Sequence, residues 1–356
     1  MTDIDFAPPV PKNTSRGIGI VGCGWIASIQ LAAYRDAGYN VVALTDIIRD
    51  KAEALRDAFY PDATVYSKIE SLLADDRVEV VDITTHVDVR PALVRLALNA
   101  GRHVLSQKPF VIALDEGEEL CALADERDVT LAVNQNGRWA PHFAVLLAAA
   151  RAGTFGAITS ADFANHWPHD HIIGEKEAFA TMADLILYDF GIHYFDIIAT
   201  LIKAEPTRVF AQVAPRSGQL ITAPTNAQVL ISFPDTLASV IFRGGEARGE
   251  RGSYRVNGTD ATMLHEGNWL GGSSVRVITG SADREESETI MIKEDWFGPG
   301  TTGTMGELLL SLDEHRAPSN TGRSAIKALE LCFAAIESSR TGQPVIPGTV
   351  RRRPTH

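Results

Sequence analysis

Residues 188–196 read YDFGIHYFD and set Asp189 and His193 four positions apart inside an otherwise apolar run. If the run is helical, positions four apart share a face, so the Asp189 carboxylate could hold one imidazole nitrogen and leave the other to accept a proton. A general base is built in this way. The local alternative is that Asp189 caps a turn beside Gly191 and His193 is a hydrogen-bonded core histidine. A second candidate stands in HVLSQKPF, where Lys108 ends an apolar run and Pro109 stops it. Proline biases the residue before it toward an extended backbone, so the amine would project from a stiff turn; an ordinary surface lysine is the competing reading. A third cluster, NHWPHDHIIG, crowds Asn165, His166, Trp167, His169, Asp170 and His171 into seven positions. Its short spacings span Pro168 and no second cluster offers further ligands, which argues against a metal. Indole and hydrogen-bonding side chains better suit a hydroxyl-rich ring, stacked on Trp167 and read by groups such as His169; a surface loop anchored by a buried Trp167 is the plainer alternative. Arg138 and Trp139 in NGRWAPHF, and His265, Asn268 and Trp269 in HEGNWLGG, are candidates for the same pocket or for structural roles.

These side chains need a scaffold, and the first third of the chain announces one. From residue 17, short runs rich in Val and Ile (GIGIVG, NVVALTD, VEVVDITT, HVLSQK, TLAVNQ) alternate with longer segments at helical spacing. That alternation is the signature of an α/β, doubly wound parallel sheet. Within it, GIGIVGCGWIA places Gly22, Gly24 and Ala27 in the G-x-G-x-x-G/A pattern where a strand passes into a helix. Gly22 allows the tight turn, Gly24 lets backbone approach a pyrophosphate, Ala27 keeps the helix close to the sheet, and the helix N-terminus faces the anion. Asp46 ends the next strand, where a carboxylate accepts from ribose hydroxyls and repels a 2'-phosphate. This favours NAD over NADP, although Asp46 could instead cap the following helix and Arg49 could greet a phosphate. The candidate cofactor residues are Gly22, Gly24, Trp25, Ile26, Asp46, Thr85, His86 and Lys108.

At 356 residues two domains are expected, divided near residue 136: a Pro-rich lead-in at 1–14, a nucleotide-binding domain at 15–136 and a second α/β domain at 137–350. Strand-like runs between 207 and 293 predict a large, mostly antiparallel open sheet in the second, and helices are expected at 141–152 and 321–342. Lys plus Arg number 33 against 45 Asp plus Glu, a net charge of -12, which disfavours nucleic acid and anionic membrane as partners and points to small-molecule chemistry. No run reaches the roughly 18 apolar residues of a membrane span, and three scattered cysteines suit a reducing compartment, so a cytoplasmic protein without structural zinc is expected. The terminal RRRPTH reads as a solvated tail.

Taken together, GIGIVGCGWIA, AGRHVLSQKPF, NQNGRWAP, YDFGIHYFD and AAIESSRTGQPV resemble the glucose-fructose oxidoreductase and inositol dehydrogenase family, over about residues 15–348. In that family a Rossmann domain carrying Glu-Lys-Pro precedes a domain carrying Asp-x-Gly-x-His-x-x-Asp. The resemblance implies an NAD(P)-dependent oxidoreductase acting on the CH–OH group of a sugar or polyol. It implies catalytic roles for Lys108, Asp189 and His193, substrate contacts from Lys108, Arg138, Trp167, His169, Asp189 and His193, no metal, and a homodimer or homotetramer formed through the second sheet. A redox-neutral NAD-using glycosidase, a sugar-sugar oxidoreductase and a non-catalytic NAD- and sugar-binding regulator share the same motifs. Two positions depart from the family pattern. Gln107 stands where glutamate is usual, which keeps hydrogen bonding but removes a charge beside Lys108, and His86 and Arg90 stand where relatives more often carry proline and histidine.

Overall fold

The computed structural model describes residues 4–173, 182–245, 248–268, 272–281 and 283–354. The chain packs as two compact units, Ala7–Trp139 with Phe297–Ile326, and Ala140–Trp296 with Lys327 onward and the segment before Ala7. The first is built on a six-stranded parallel sheet of Ile18–Val21 (β1), Val41–Thr45 (β2), Thr64–Tyr66 (β3), Val80–Ile83 (β4), His103–Gln107 (β5) and Leu131–Asn134 (β6), in the spatial order β3-β2-β1-β4-β5-β6. Helices Trp25–Asp36 (α1), Arg49–Phe59 (α2), Ile69–Leu73 (α3), Arg90–Asn99 (α4) and Leu114–Glu126 (α5) make the crossovers. β1, β4 and β6 are buried along their whole length, because a parallel sheet covered by helices on both faces has no solvent side; their sequences are therefore unbroken apolar runs, save for Asp82 and Asn134. Strand order reverses between β1 and β4, the switch point beside which such sheets take ligands.

The second unit carries an eight-stranded sheet: Ile158–His166 (β7), Arg208–Ala214 (β8), Asn226–Ser232 (β9), Leu237–Arg243 (β10), Arg251–Gly258 (β11), Ala261–Gly267 (β12), Ser273–Ser281 (β13) and Arg284–Ile292 (β14). Its order is β14-β13-β12-β11-β7-β10-β9-β8, antiparallel at every pairing except β7 with β10. Helices Pro141–Arg151 (α6), His169–Ile173 (α7) and Gly191–Leu201 (α8) belong to this unit. Phe143 of α6 and Tyr194 of α8 pack against Phe163 of β7, and Phe143 also stacks on Tyr254 of β11. Along β9 and β10 alternate residues are buried, and the other face leaves Leu230 and Leu237 exposed. β11 and β12 add two strands to those expected from the sequence, and His265 lies on β12.

After β14 the chain forms Phe297–Asp313 (α9), which rejoins the first unit, and a last helix, Gly322–Thr341 (α10). Met305, Leu308 and Leu309 of α9 share a core with Ala27, Leu31 and Tyr34 of α1. Described residues near both ends make contacts that their composition does not suggest. Asp313 accepts from the Lys12 and Asn13 amides at 2.8 and 2.9 Å, which anchors the end of the Pro-rich lead-in. In the terminal RRRPTH, Arg353 is not simply solvated, because its guanidinium lies 4.6 Å from the centre of the buried Tyr188 ring. No helix among the described residues is long and apolar enough to cross a membrane.

Candidate active site

In the first unit the glycine motif forms an open cradle. Gly22 has φ +92°, a left-handed conformation that disfavours any side chain, and a Cβ there would meet Thr85 Cγ2 at 2.9 Å. Thr84 Oγ1 donates to the Gly22 carbonyl at 2.5 Å, tying the end of β4 to the turn. Gly24 is different: its backbone is extended and a Cβ would find nothing within 4 Å. No side chain caps α1, so the first amides of a helix that begins at Trp25 and Ile26 face this space. An anion held by backbone donors fits there. Asp46 stands beside it, half-buried, with Oδ2 accepting from the Cys23 amide at 2.6 Å and Oδ1 from the Ile48 amide at 2.7 Å. The helix-capping alternative is not met, because α2 has Ile48 at its N-cap and no side-chain cap; the two bonds instead close a local turn and fix the carboxylate against the glycine turn. Arg49 is engaged by Glu53 at 2.7 Å and by Ser67 at 3.2 Å. Burial, with the nearby Asp46 charge, pushes the Cys23 thiol up to about 12, so it is an inert part of the turn.

Lys108 follows β5 and is joined to Pro109 by a cis peptide. The carbonyls on either side of it, of Gln107 and Pro109, both accept from Arg90 Nη1, the first at 2.7 Å. The same guanidinium donates to the Thr85 carbonyl from Nε at 3.0 Å and Nη2 at 2.6 Å. Arg90, 3 % exposed, thus braces two loops that follow neighbouring strands. Sequence alone marks Arg90 only as a departure from pattern; the signal that could have assigned it is an arginine at the start of a helix whose next residue is proline, facing a second proline turn. His86 is exposed on the same loop. Nearby strand ends carry buried polar atoms with no hydrogen-bond partner among the described residues: Thr85 Oγ1, Asn134 Oδ1 and both side-chain amide atoms of Gln135. Such atoms at the carboxyl edge of a parallel sheet suit a polar ligand. Arg138 sits in the 3-10 turn Asn136–Trp139 and is buried; it donates to the Ser319 carbonyl at 2.5 Å and to Ser324 Oγ at 3.3 Å. Trp139 packs against Gly303 of α9.

In the second unit, Asp189 belongs to a π-helical turn, Ile186–Phe190, that runs directly into α8, where His193 occupies the first turn. Regular α-helical spacing therefore does not extend through YDFGIHYFD. Gly191 marks the junction: its amide donates to the Ile186 carbonyl, and a Cβ there would come within 3.1 Å of that same oxygen. Asp189 is 8 % exposed and His193 half-buried. The His193 ring meets Trp296 edge-on at 5.3 Å; Trp296 leans on His142 at 5.5 Å, and His142 stacks on His265 at 4.6 Å. Burial, and for His142 the neighbouring His265, holds both deeper imidazoles neutral: His142 falls well below the usual range and His265 to about 4. Trp296 belongs to no motif in the sequence, and His142 lies in NGRWAPHF, where only Arg138 and Trp139 stand out.

The loop after β7 packs on the same π turn. His169 lies 4.1 Å from the Phe190 ring and 4.7 Å from Trp167, and Trp167 lies 6.0 Å from Phe190. His169 is fully buried and pushed down to about 3, its Nδ1 lying 3.0 Å from the Trp167 carbonyl. Its Nε2 and Trp167 Nε1 have no hydrogen-bond partner among the described residues. Asp170, also fully buried, receives Arg216 Nη2 at 2.7 Å. The structure thus brings Trp167 and His169 beside Asp189's turn. Trp269 and the side chain of His171 lie outside the described residues. Among the described residues no group of three or more His, Cys, Asp and Glu side chains is placed to hold a metal ion.

Comparison with known proteins adds to this geometry. Residues 16–135 match the model of an oxidoreductase family with an NAD-binding Rossmann fold, and residues 143–264 match the GFO/IDH/MocA C-terminal domain. Among curated proteins, a D-apiose dehydrogenase of Paraburkholderia graminis is 25% identical over 334 residues, 92% of this chain and 88% of its own. A scyllo-inositol 2-dehydrogenase (NADP(+)) of Bacillus subtilis is 24% identical over 358 residues, 92% of this chain and 95% of its own. Among solved structures, an oxidoreductase from Agrobacterium radiobacter in complex with NAD+, L-tartaric acid and magnesium superposes with a TM-score of 0.81 at 21% identity, covering 94% of this chain and 99% of the other. A levoglucosan dehydrogenase in complex with NADH and levoglucosan superposes with a TM-score of 0.78 at 17% identity, covering 94% and 99%.

Proposed function

We propose, since the chain belongs to the GFO/IDH/MocA family of oxidoreductases, that it oxidises a secondary hydroxyl of a sugar, polyol or sugar derivative with NAD. The observation that carries the reading is the placement of an acid on a π turn that runs straight into a helix with a histidine in its first turn, within a unit whose aromatic loop packs on that turn. When bound, the dinucleotide supplies the hydride acceptor. The residues that would hold it are Gly22, Gly24, the α1 amides at Trp25 and Ile26, Asp46, and the loop at Thr85 and His86. In this reading His193 takes the hydroxyl proton, Asp189 orients the imidazole and stabilises its charged form, and Lys108 hydrogen-bonds the reacting oxygen as charge develops there. Trp167 and His169 would read the ring and its hydroxyls.

Preference for NAD over NADP is supported by the Asp46 carboxylate fixed at the end of β2 and by Arg49, which is held by Glu53 and Ser67. Self-association through the second sheet is supported by Leu230, Leu237 and Met291, 43%, 53% and 69% exposed on its strands; light scattering of the purified chain decides it. The test of the activity is absorbance of NADH with D-apiose, scyllo-inositol, levoglucosan and simple aldoses and glycosides, with NADP in parallel. We expect turnover with one of these classes and NAD, and its loss by a factor of about 100 or more in H193N. Full turnover by H193N would refute the assignment, and NADP preferred over NAD would refute the role of Asp46.

A further inference from the structure

A file of hydrogen bonds runs from the middle of the parallel sheet to the peptide of Lys108, and each link has a fixed direction. Asp82, fully buried in β4, offers Oδ2 to two donors, Gln30 Nε2 at 2.6 Å and Tyr34 Oη at 2.8 Å. Gln30 must therefore turn its NH2 toward Asp82 and its oxygen away. That oxygen receives Gln107 Nε2 at 3.3 Å, which in turn leaves Gln107 Oε1 to accept the Lys108 amide at 2.8 Å. Gln30 and Tyr34 are fully buried and Gln107 is 6% exposed, so water is a poor substitute partner along the file. Reversing one glutamine alone would set oxygen against oxygen or NH2 against NH2 at the next link.

We propose that Asp82 is a positioning residue: its acceptor oxygen sets the orientation of both buried amides and so holds the turn that presents Lys108. The inference rests on the role proposed above for Lys108. Asp82 Oδ1 has no hydrogen-bond partner among the described residues, so a proton carried there leaves Oδ2 an acceptor and the order of the file unchanged. While Asp82 is ionised, the order forbids a second ionised acid, so the conflict is complete above the raised Asp82 value of about 7. The carboxylate introduced by Gln107→Glu would still accept from the Lys108 amide, but it would face Gln30 Oε1 with another acceptor. If Gln30 turned to oblige, its oxygen would face the ionised Asp82. Asparagine at position 82 removes the conflict, because its side chain offers either an oxygen or an NH2 to Gln30.

The test is a cycle of Q107E, D82N and the double variant in the full chain. Each is followed by urea unfolding, by hydrogen exchange at the Lys108 amide, and by turnover with NAD of whichever panel sugar the native protein oxidises. We expect Q107E to shift the unfolding equilibrium about tenfold or more toward the unfolded state, to speed exchange at Lys108, and to lower kcat about tenfold. D82N should cost less, and adding D82N to Q107E should restore most of all three while KM for NAD stays within about twofold. A double variant no better than Q107E would overturn the ordered file. Coupled stabilities with native kcat in Q107E would overturn the positioning role. K108A with native turnover would instead refute the reading of Lys108, a result distinguishable because the unfolding cycle does not depend on that reading.

Discussion

The Arg90 brace gives a prediction whose size follows from its bonds. One buried guanidinium makes four hydrogen bonds to three backbone carbonyls, those of Thr85, Gln107 and Pro109. Replacing it with methionine keeps much of the apolar stem and leaves three carbonyls short of a donor. Hydrogen bonds to a charged group are worth about 1.5–3 kcal/mol each, but their sum overstates the loss, because removing the arginine also relieves the desolvation of a buried cation. With each carbonyl left unsatisfied costing about 1–3 kcal/mol and the relieved desolvation offsetting part of the sum, a net destabilisation of about 3 kcal/mol or more is expected for R90M. R90K should fall between, since one ammonium lacks the planar fork that reaches separate loops. Urea unfolding measures the global effect. Hydrogen exchange of peptides covering 84–90 and 107–110 measures the local one, and NADH titration reports the effect on the cofactor site. The expected pattern is faster exchange in both peptides together, with weakened NADH binding. R90M within about 1 kcal/mol of the native protein, with unchanged exchange, would show that the carbonyls find other donors and that Arg90 braces nothing.

Two further outcomes follow from single side chains. G24V should fold with nearly native stability, because the backbone there is extended and an added Cβ meets nothing within 4 Å, yet bind NADH at least about tenfold more weakly, because the branched side chain would fill the cradle; unchanged affinity would remove Gly24 from the cofactor site. Burial pushes the Asp82 carboxyl up to about 7, against the opposing bond from Tyr34. Between an unfolded value of about 4 and that folded value the native state binds the extra proton, so this group's contribution falls as pH rises through the window. The stability of the native protein relative to D82N should therefore drop by about 2–3 kcal/mol from about pH 5 to about pH 8, and a pH-independent difference in urea unfolding would refute the shifted value.

What the sequence disclosed and withheld follows from how each element is specified. The parallel sheet was legible because its strands are buried on both faces and written as apolar runs, and the glycine turn because Gly22 is required by its backbone. The helix Phe297–Asp313 was not, since FGPGTTGTMG carries glycines that lower helix propensity. Those glycines are there for close approach: a Cβ on Gly303 would fall 2.4 Å from Trp139 and one on Gly306 2.3 Å from the Pro9 carbonyl. Local propensity opposes the helix, and tertiary packing overrides it. The π turn was hidden for a related reason. Asp189 and His193 show the spacing of an α-helix, and nothing in the spacing says that the first of them sits on a wider turn; Gly191, at the junction, is the residue that permits it. Gln107 is the instructive case. Read alone it is a glutamate that has lost its charge, whereas in the fold it is the amide that a buried acid 25 positions earlier requires. Its meaning lies in the direction of hydrogen bonds between strands, which residue type and spacing do not encode until the strands are paired.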